Sequence, residues 1–319
     1  MLILDKIFFK QMMMRRVLYS LLPIILVATY FFGLRTLVLM LLVTFAATIT
    51  EFIFQRRLNK PVSEAVIVTS VLFTLTLPVS TPFWVAIVGI VFGIVFAKEV
   101  FGGFGRNIFN PALVSRTFLY VCFPKFLTVQ WNMPSISLPG GLTTYITPSV
   151  DAVSQSTPLL ILAQTGKMTP LNNLFWGNTS GSLGETSAFI LLLAGIYLLY
   201  SKTADWRLML SPILGFISLN SILYLFNVPS APSPIWGLFS GSIIFISVFF
   251  STEPITAPRT IQGKWIYGIL IGCNTILIRV YGIFVEGGMF AVLIMNTFAP
   301  IIDETVKYAI VQQKRKVVA

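Results

Sequence analysis

The residues best placed to do chemistry in this chain lie in Asp151-Ala-Val-Ser154-Gln155-Ser156-Thr157-Pro158-Leu159, a hydroxyl-rich run that ends in Thr-Pro. Ser154 or Ser156 is placed to cap a helix whose first turn opens at Pro158, where the missing N–H costs little. The free N–H groups of such a turn, with the positive end of the helix dipole, suit a phosphate. The same residues also make an ordinary capped short helix, and local chemistry alone does not separate the two. A second donor-rich segment, Asn178-Thr-Ser180-Gly181-Ser182-Leu-Gly184-Glu185-Thr186-Ser187-Ala188, opens the next apolar run. There Glu185 either favours the dipole of that helix or orients a cofactor or a cation, because a carboxylate near apolar surroundings is costly without a partner.

A third candidate is Arg116, a turn or two inside an apolar helix that follows Lys98-Glu-Val-Phe-Gly102-Gly103-Phe-Gly105-Arg106-Asn107-Ile-Phe-Asn110-Pro111. An arginine at that depth needs a partner or an aqueous face; the alternative is a side chain that snorkels to the nearer surface. Asn110-Pro111 reads as a cap and a first-turn proline. The glycines before it permit either a re-entrant segment lining a ligand cleft or a plain loop. Glu253, in Ser251-Thr-Glu253-Pro254, serves either an ion path or a solvated loop. For Glu286, beside Gly287-Gly288, turn chemistry suffices.

The elements that position these residues are apolar. Of 319 residues, 56% are hydrophobic and 10% charged, with mean hydropathy +0.86. Soluble domains carry about 25% charged residues, so the chain reads as an all-α, multi-pass integral membrane protein. Its first residues show no secretory leader pattern, which predicts a retained first helix. Ten spans are expected near 17–33, 36–54, 65–81, 83–98, 111–124, 186–201, 207–226, 235–251, 265–283 and 288–302. Spans this apolar cross a bilayer at about 20 residues, and the shorter ones predict tilted or broken helices. Three parts follow: a five-helix half over 1–124, a connection over 125–185, and a second five-helix half over 186–319. Two halves with an odd number of spans run in opposite directions, the pattern of an inverted repeat.

The net charge of +11 comes from basic residues in short connections, which is how membrane topology is encoded and argues against nucleic acid. Eighteen lysines and arginines, Arg116 among them, fall on the side of the N-terminus and four (Arg35, Lys125, Lys167 and Arg279) on the other. Both termini are therefore expected in the cytoplasm and the 125–185 connection outside. Cys122 and Cys273 sit far apart in apolar runs with no metal or disulfide spacing. With no histidine in the chain, His-ligated haem and the usual zinc sites are excluded. Any redox chemistry must come from an organic cofactor or another subunit.

Taken together, Phe101-Gly-Gly-Phe-Gly-Arg-Asn-Ile-Phe-Asn-Pro-Ala-Leu, Gly181-Ser-Leu-Gly-Glu-Thr-Ser-Ala, Gly263-Lys-Trp-Ile-Tyr-Gly, Ile278-Arg-Val and Ala299-Pro-Ile-Ile-Asp resemble one family over nearly the whole chain. It is the membrane flavoprotein subunit shared by two ion pumps: the D subunit of Rnf ferredoxin:NAD oxidoreductase complexes and the B subunit of sodium-pumping NADH:quinone oxidoreductase. The resemblance implies a urea-transporter-like fold in the bacterial or archaeal inner membrane. It also implies FMN joined to a threonine by a phosphodiester, placed by a separate flavin transferase. The family pattern is Asp-x-x-Ser/Thr-Gly-Ala-Thr; Asp151, Ser154 and Thr157 match it, while Gln155 and Ser156 replace the glycine and alanine. Thr157 is then the attachment residue, with Asp151, Ser154, Ser156, Gly184, Glu185 and Arg116 as further cofactor-site candidates. A second, non-covalent flavin, riboflavin, is implied between the helices. So are partner subunits, including a second covalent flavoprotein and iron–sulfur proteins, and coupled Na⁺ or H⁺ transport. The short basic N-terminal region suits the Rnf complex, whereas Glu253-Pro-Ile-Thr and Gly263-Lys-Trp-Ile-Tyr-Gly look closer to the quinone reductase. The reading from another class is a small-solute transporter or channel with no redox role.

Overall fold

The computed structural model describes residues 8–136, 138–143, 156–228, 230–282, 284 and 286–318, with side chains as far as Lys314. Helices form along the apolar runs, and Pro23, Pro212 and Pro300 lie inside three of them. In the first half they are α1 (Met12–Phe32), α2 (Arg35–Arg57), α3 (Ala65–Leu75), α4 (Phe83–Gly93, prolonged by a π-helical turn over Ile94–Glu99) and α5 (Pro111–Cys122). The connection carries α6 (Pro124–Thr128), α7 (Pro158–Thr165) and α8 (Leu171–Trp176). The second half holds α9 (Ala188–Tyr200), α10 (Trp206–Leu225), α11 (Pro234–Phe239), α12 (Ile243–Phe245, prolonged by a π-helical turn over Ile246–Phe250), α13 (Ile261–Tyr281) and α14 (Gly288–Val318). Two short parallel strands, β1 (Phe8–Phe9) and β2 (Val62–Ser63), tie the start of the chain to the α2–α3 connection.

Helix therefore stands at each of the ten expected positions. Five helices are long and apolar enough to cross a membrane: α1, α2, α10, α13 and the Gly288–Lys314 part of α14. Large apolar side chains such as Leu26, Leu41, Phe45, Ile196 and Leu225 point outward and are well exposed. An apolar outer surface of this kind is stable against lipid rather than water. The structure corrects the sequence in two places. The expected span 235–251 is two pieces, because Ser240-Gly241-Ser242 interrupts it and Gly241 holds φ +72°. The expected span 65–81 ends as a helix at Leu75, before Pro78, and the chain from Thr76 to Thr81 is irregular yet buried. Irregular backbone at that depth must be satisfied internally. Arg35 supplies two of the donors, with Nε 2.8 Å from Val79 O and Nη2 3.0 Å from Thr81 O. Backbone N–H groups of Leu183 and Gly184 supply two more, to Leu77 O at 3.1 Å and Leu75 O at 2.7 Å.

The tightest helix pair is α10 with α13. A Cβ built on Gly272 would lie 2.1 Å from Pro212 O, and one on Gly215 only 2.2 Å from Ile269 O. Gly268, four residues before Gly272, abuts the Ser211 hydroxyl in the same way. Small residues let the two backbones approach, the usual means of helix association where no hydrophobic drive exists. Helix α1 packs against α9, joining the two halves through their first helices.

Asp205 starts α10 as its N-cap, accepting from Arg207 N at 2.9 Å, and also receives Lys264 Nζ of α13 at 2.6 Å. Partial burial by itself raises its pKa, but the Lys264 hydrogen bond and the Arg207 N–H outweigh it and hold the carboxyl below its ordinary value. A depressed folded-state pKa contributes stability that is complete above the unfolded value and lost as pH falls through the folded one. Asp205→Asn keeps a capping oxygen but removes the charge that faces Lys264 and Arg207, and is thus expected to cost about 1 kcal/mol or less at neutral pH. The difference from the parent should begin to shrink below about pH 4 and close only once the pH is below the depressed folded value; thermal midpoints in detergent across that range would check it. A deficit that stays constant with pH would place the effect in packing instead.

Candidate functional site

Thr157 is the N-cap of α7. Its Oγ1 accepts from Leu160 N at 3.4 Å, and Pro158 follows at the first helical position. The cap is therefore Thr157 itself and not Ser154 or Ser156, because the chain turns into the helix only at Thr157, where φ −66° and ψ 159° are extended. Asp151 and Ser154 lie outside the described residues. The Ser156 carbonyl receives Ser180 Oγ at 2.9 Å, which ties the start of α7 to the second hydroxyl-rich segment. Leu159 of α7 packs with Leu174 of α8 and Trp236 of α11 in a small separate apolar cluster. Trp236 Nε1 also donates to Thr169 O at 2.8 Å. The connection is thereby pinned onto the interrupted helix of the second half.

Beneath Thr157 is a cavity with ≈ 370 Å³ of empty space, counting space open to solvent. Thr157 shares its walls with Ser180, Ser182, Glu185, Gly241 and Glu286. Thr157, Ser180 and Ser182 are 6%, 4% and 0% exposed, so these hydroxyls serve the interior and not bulk water. Gly184 does not reach the cavity; a Cβ there would lie 2.7 Å from Leu75 Cβ, so glycine is needed for backbone pairing with α3.

Arg116 rises from the middle of α5 to the same place. Asn110 caps that helix as the sequence predicts, its Oδ1 accepting from Ala112 N at 3.0 Å and Leu113 N at 3.2 Å. Arg116 is 3% exposed; Nη1 donates to Glu185 Oε1 at 2.9 Å and Nη2 to Glu286 Oε2. Glu185 also accepts Ser182 Oγ at 3.1 Å. The snorkelling alternative for Arg116 is thereby replaced: it is a buried bridge between two carboxylates that come from different connections. The explanation of Glu286 by turn chemistry is replaced as well, and sequence analysis missed this residue. Its only signal was an acid flanking an apolar helix whose partner lies 170 residues away.

A second polar cluster sits near the glycine-rich connection. Lys98, in the π-helical turn, donates to Glu51 Oε2 at 2.5 Å and Ser63 Oγ at 2.8 Å, all three buried. Gln55 donates to Glu99 Oε2 at 2.7 Å. Asn110 turns its amide to Glu253 Oε2 at 2.7 Å, which brings the two Pro-containing connections together. Glu253 also accepts Thr256 Oγ1 at 3.0 Å and is not a solvated loop acid. Beside these groups opens a cleft with ≈ 740 Å³ of empty space between α1, α3, α5 and the 252–255 segment, lined on one side by Met14, Leu72 and Phe249 and on the other by Lys98, Asn110 and Glu253. Glu51 was legible: an acid within the expected span 36–54 is a functional or structural signal by itself.

With this geometry in hand, comparison with known proteins decides the family. The model of the NQR2, RnfD, RnfE family matches residues 5–312. The chain belongs to that family. It is 35% identical over 301 residues to the D subunit of the Na(+)-translocating ferredoxin:NAD(+) oxidoreductase complex of Acetobacterium woodii, covering 92% of this chain and 88% of that one. It is 38% identical over 280 residues to the B subunit of the Na(+)-translocating NADH-quinone reductase of Pseudomonas aeruginosa, and 35% identical over 283 residues to its counterpart in Klebsiella pneumoniae. The chain spans 65% of the length of these two quinone-reductase relatives. These family members are subunits of redox-driven Na⁺ translocases by name.

Proposed function

We propose that this chain is the membrane flavoprotein subunit of an Rnf-type ion-translocating ferredoxin:NAD⁺ oxidoreductase, relaying electrons through FMN bound covalently at Thr157. The observation that carries the reading is Thr157, a buried cap threonine opening onto a hydroxyl-lined cavity. Its Oγ1 acts only as an acceptor in the cap, so esterification, which removes the hydroxyl proton as the flavin donor's leaving group departs, does not abolish that role. The feature that fits the phosphate end of FMN is the N-terminus of α7, whose positive end lies at Thr157; the Ser180 and Ser182 hydroxyls line the same cavity with their protons given to Ser156 O and Glu185. When bound, the flavin supplies one- and two-electron redox chemistry, while the protein supplies placement and electrostatics. Glu185 and Glu286, tethered by Arg116, would set the charge facing the cofactor from the cavity wall.

The rest of the reading follows the same lines. Ten helical segments in two halves would form an inverted repeat, with both termini cytoplasmic and the Thr157 connection outside. Arg116 and Lys98 no longer mark a surface; even without them the basic residues remain strongly on the N-terminal side. The cleft beside Lys98, Asn110 and Glu253, with its mixed apolar and polar lining, is where riboflavin would bind. Coupled Na⁺ or H⁺ movement, electron partners of the flavoprotein and iron–sulfur class, and a flavin transferase complete it. Coverage of 88% of the ferredoxin:NAD(+) relative supports the Rnf assignment over the quinone reductase, whose identity of 38% keeps it as the second reading.

The test is in-gel ultraviolet fluorescence of the denatured chain after co-expression with a flavin transferase. Wild type and Thr157→Ser are expected to fluoresce, and Thr157→Ala to be dark. A dark wild-type band, with transferase activity confirmed on another substrate, would refute the flavin relay and favour solute transport.

A further inference from the structure

Arg279 is a half-buried cation, with Nε and Nη2 themselves buried, that the ion-paired network leaves aside. It stands in the last turn of α13, with Nη1 donating to Gly237 O at 3.0 Å and its guanidinium 5.1 Å from the centre of the Phe216 ring. Nε and Nη2 are buried, and neither has a hydrogen-bond partner among the described residues. The carboxylates nearest in charge, Glu185 and Glu286, are bonded instead to Arg116. An unpaired buried guanidinium is costly, and a structure that keeps one has a use for its free donors.

The direction of those donors is set by the break in the interrupted helix. A Cβ added to Gly241 would lie 2.9 Å from Arg279 Nη2 and 2.7 Å from Leu159 Cδ1. Gly241 is also a wall residue of the cavity that holds Thr157. The missing side chain at position 241 thus leaves the guanidinium next to that cavity, across from the first turn of α7. A guanidinium fork with two free N–H groups matches two oxygens of one phosphate.

We propose that Arg279 binds the phosphodiester of the flavin on Thr157 through Nε and Nη2, with Gly241 as the opening that admits the contact. The proposal rests on the covalent-flavin reading above. It assigns to one residue the anion-binding role that the helix N-terminus alone fills weakly. It also explains why an arginine with two idle donors is kept where Thr157 opens inward.

The experiment uses the full-length chain made with and without flavin transferase, as wild type, Arg279→Gln and Arg279→Lys. In-gel fluorescence reports covalent flavin, and thermal midpoints in detergent report its coupling to residue 279. In wild type, flavinylation is expected to raise the midpoint by about 4 °C, the scale of a charge-assisted pair in a chain of this size. Without flavin, Arg279→Gln should change the midpoint little, since loss of the Gly237 O hydrogen bond and the Phe216 contact is offset by removal of a charge that has no carboxylate bonded to it. With flavin, the Arg279→Gln increment should vanish, and Arg279→Lys, which keeps the charge but loses the fork, should retain about half of it. A fluorescent Arg279→Gln chain with the full wild-type increment overturns the Arg279 assignment alone. A dark wild-type band overturns it together with the flavin reading. Should Arg279→Gln fail to fold, the phosphorus-31 resonance of flavinylated Arg279→Lys decides: a shifted phosphodiester signal supports the contact and an unshifted one overturns it.

Discussion

Arg116→Ala is expected to remove most of the folded chain from the membrane. The substitution leaves Glu185 and Glu286 buried with no cation between them, and a carboxylate in such surroundings must either take up a proton or draw in water. Breaking a buried pair from one side costs about 3–5 kcal/mol, a large share of the 5–15 kcal/mol or so that holds a typical domain together. Three separate segments meet at this arginine: α5, the hydroxyl-rich segment before α9, and the turn before α14. The loss is therefore expected as a single cooperative drop in thermal midpoint and membrane yield, and not as local loosening. Arg116→Lys should fall between the two, because one ammonium cannot present a fork to two carboxylates. The triple variant Arg116→Met, Glu185→Gln, Glu286→Gln should recover much of the loss, since no uncompensated charge remains. An Arg116→Ala chain as abundant and stable as wild type would show that the bridge carries no structural load.

Gly272→Val is expected to be nearly as damaging for a different reason. The added Cβ would meet backbone atoms, Pro212 O at 2.1 Å and Phe216 N at 2.4 Å, and neither can rotate away as a side chain would. Helices α10 and α13 must separate, which also lifts Gly215 off Ile269 O and forfeits dispersion along the whole seam. Overpacking usually costs about 1–3 kcal/mol, and here at least the upper end is expected because the whole helix pair must move. Gly105→Ala provides the contrast. A Cβ there meets nothing within 4 Å, and only its φ of +86° opposes the change, at a cost of about 1 kcal/mol. Comparison of the two midpoints separates close packing from backbone strain; equal effects would refute the packing account.

Much of this architecture was legible in the residues. Apolar runs marked helix at all ten positions because a chain this hydrophobic has few other ways to satisfy its backbone in lipid. Asn110-Pro111 and Thr157-Pro158 marked helix starts, with the second cap at Thr157 instead of the expected Ser154 or Ser156. Gly268-x-x-x-Gly272 carried the α10–α13 seam in plain view, yet spacing of small residues says nothing about which helix will fill it. The break at Ser240-Gly241-Ser242 was hidden by the apolar residues on both sides, and the two π-helical turns leave no compositional trace. Of the site, Thr157, Glu185 and Arg116 could each be singled out by residue type and depth. Their convergence with Glu286 could not, since no local pattern connects positions 69 and 170 residues apart. Glu51 and Lys98 were available to a simple rule, that charge inside a span seeks charge, and their pairing follows once α2 and the end of α4 are side by side.

Arg116 is synthesised before either of its partners. Glu185 leaves the ribosome 69 residues later and Glu286 170 residues later. Until then α5, only 12 residues long and with a guanidinium at its middle, has no stable place in lipid. Firm seating of α5 is consequently expected only once the turn carrying Glu286 has been made. The bridge thus makes the seating of an early helix depend on one of the last turns to be translated: a chain cut before Glu286 leaves Arg116 with one of its two carboxylates.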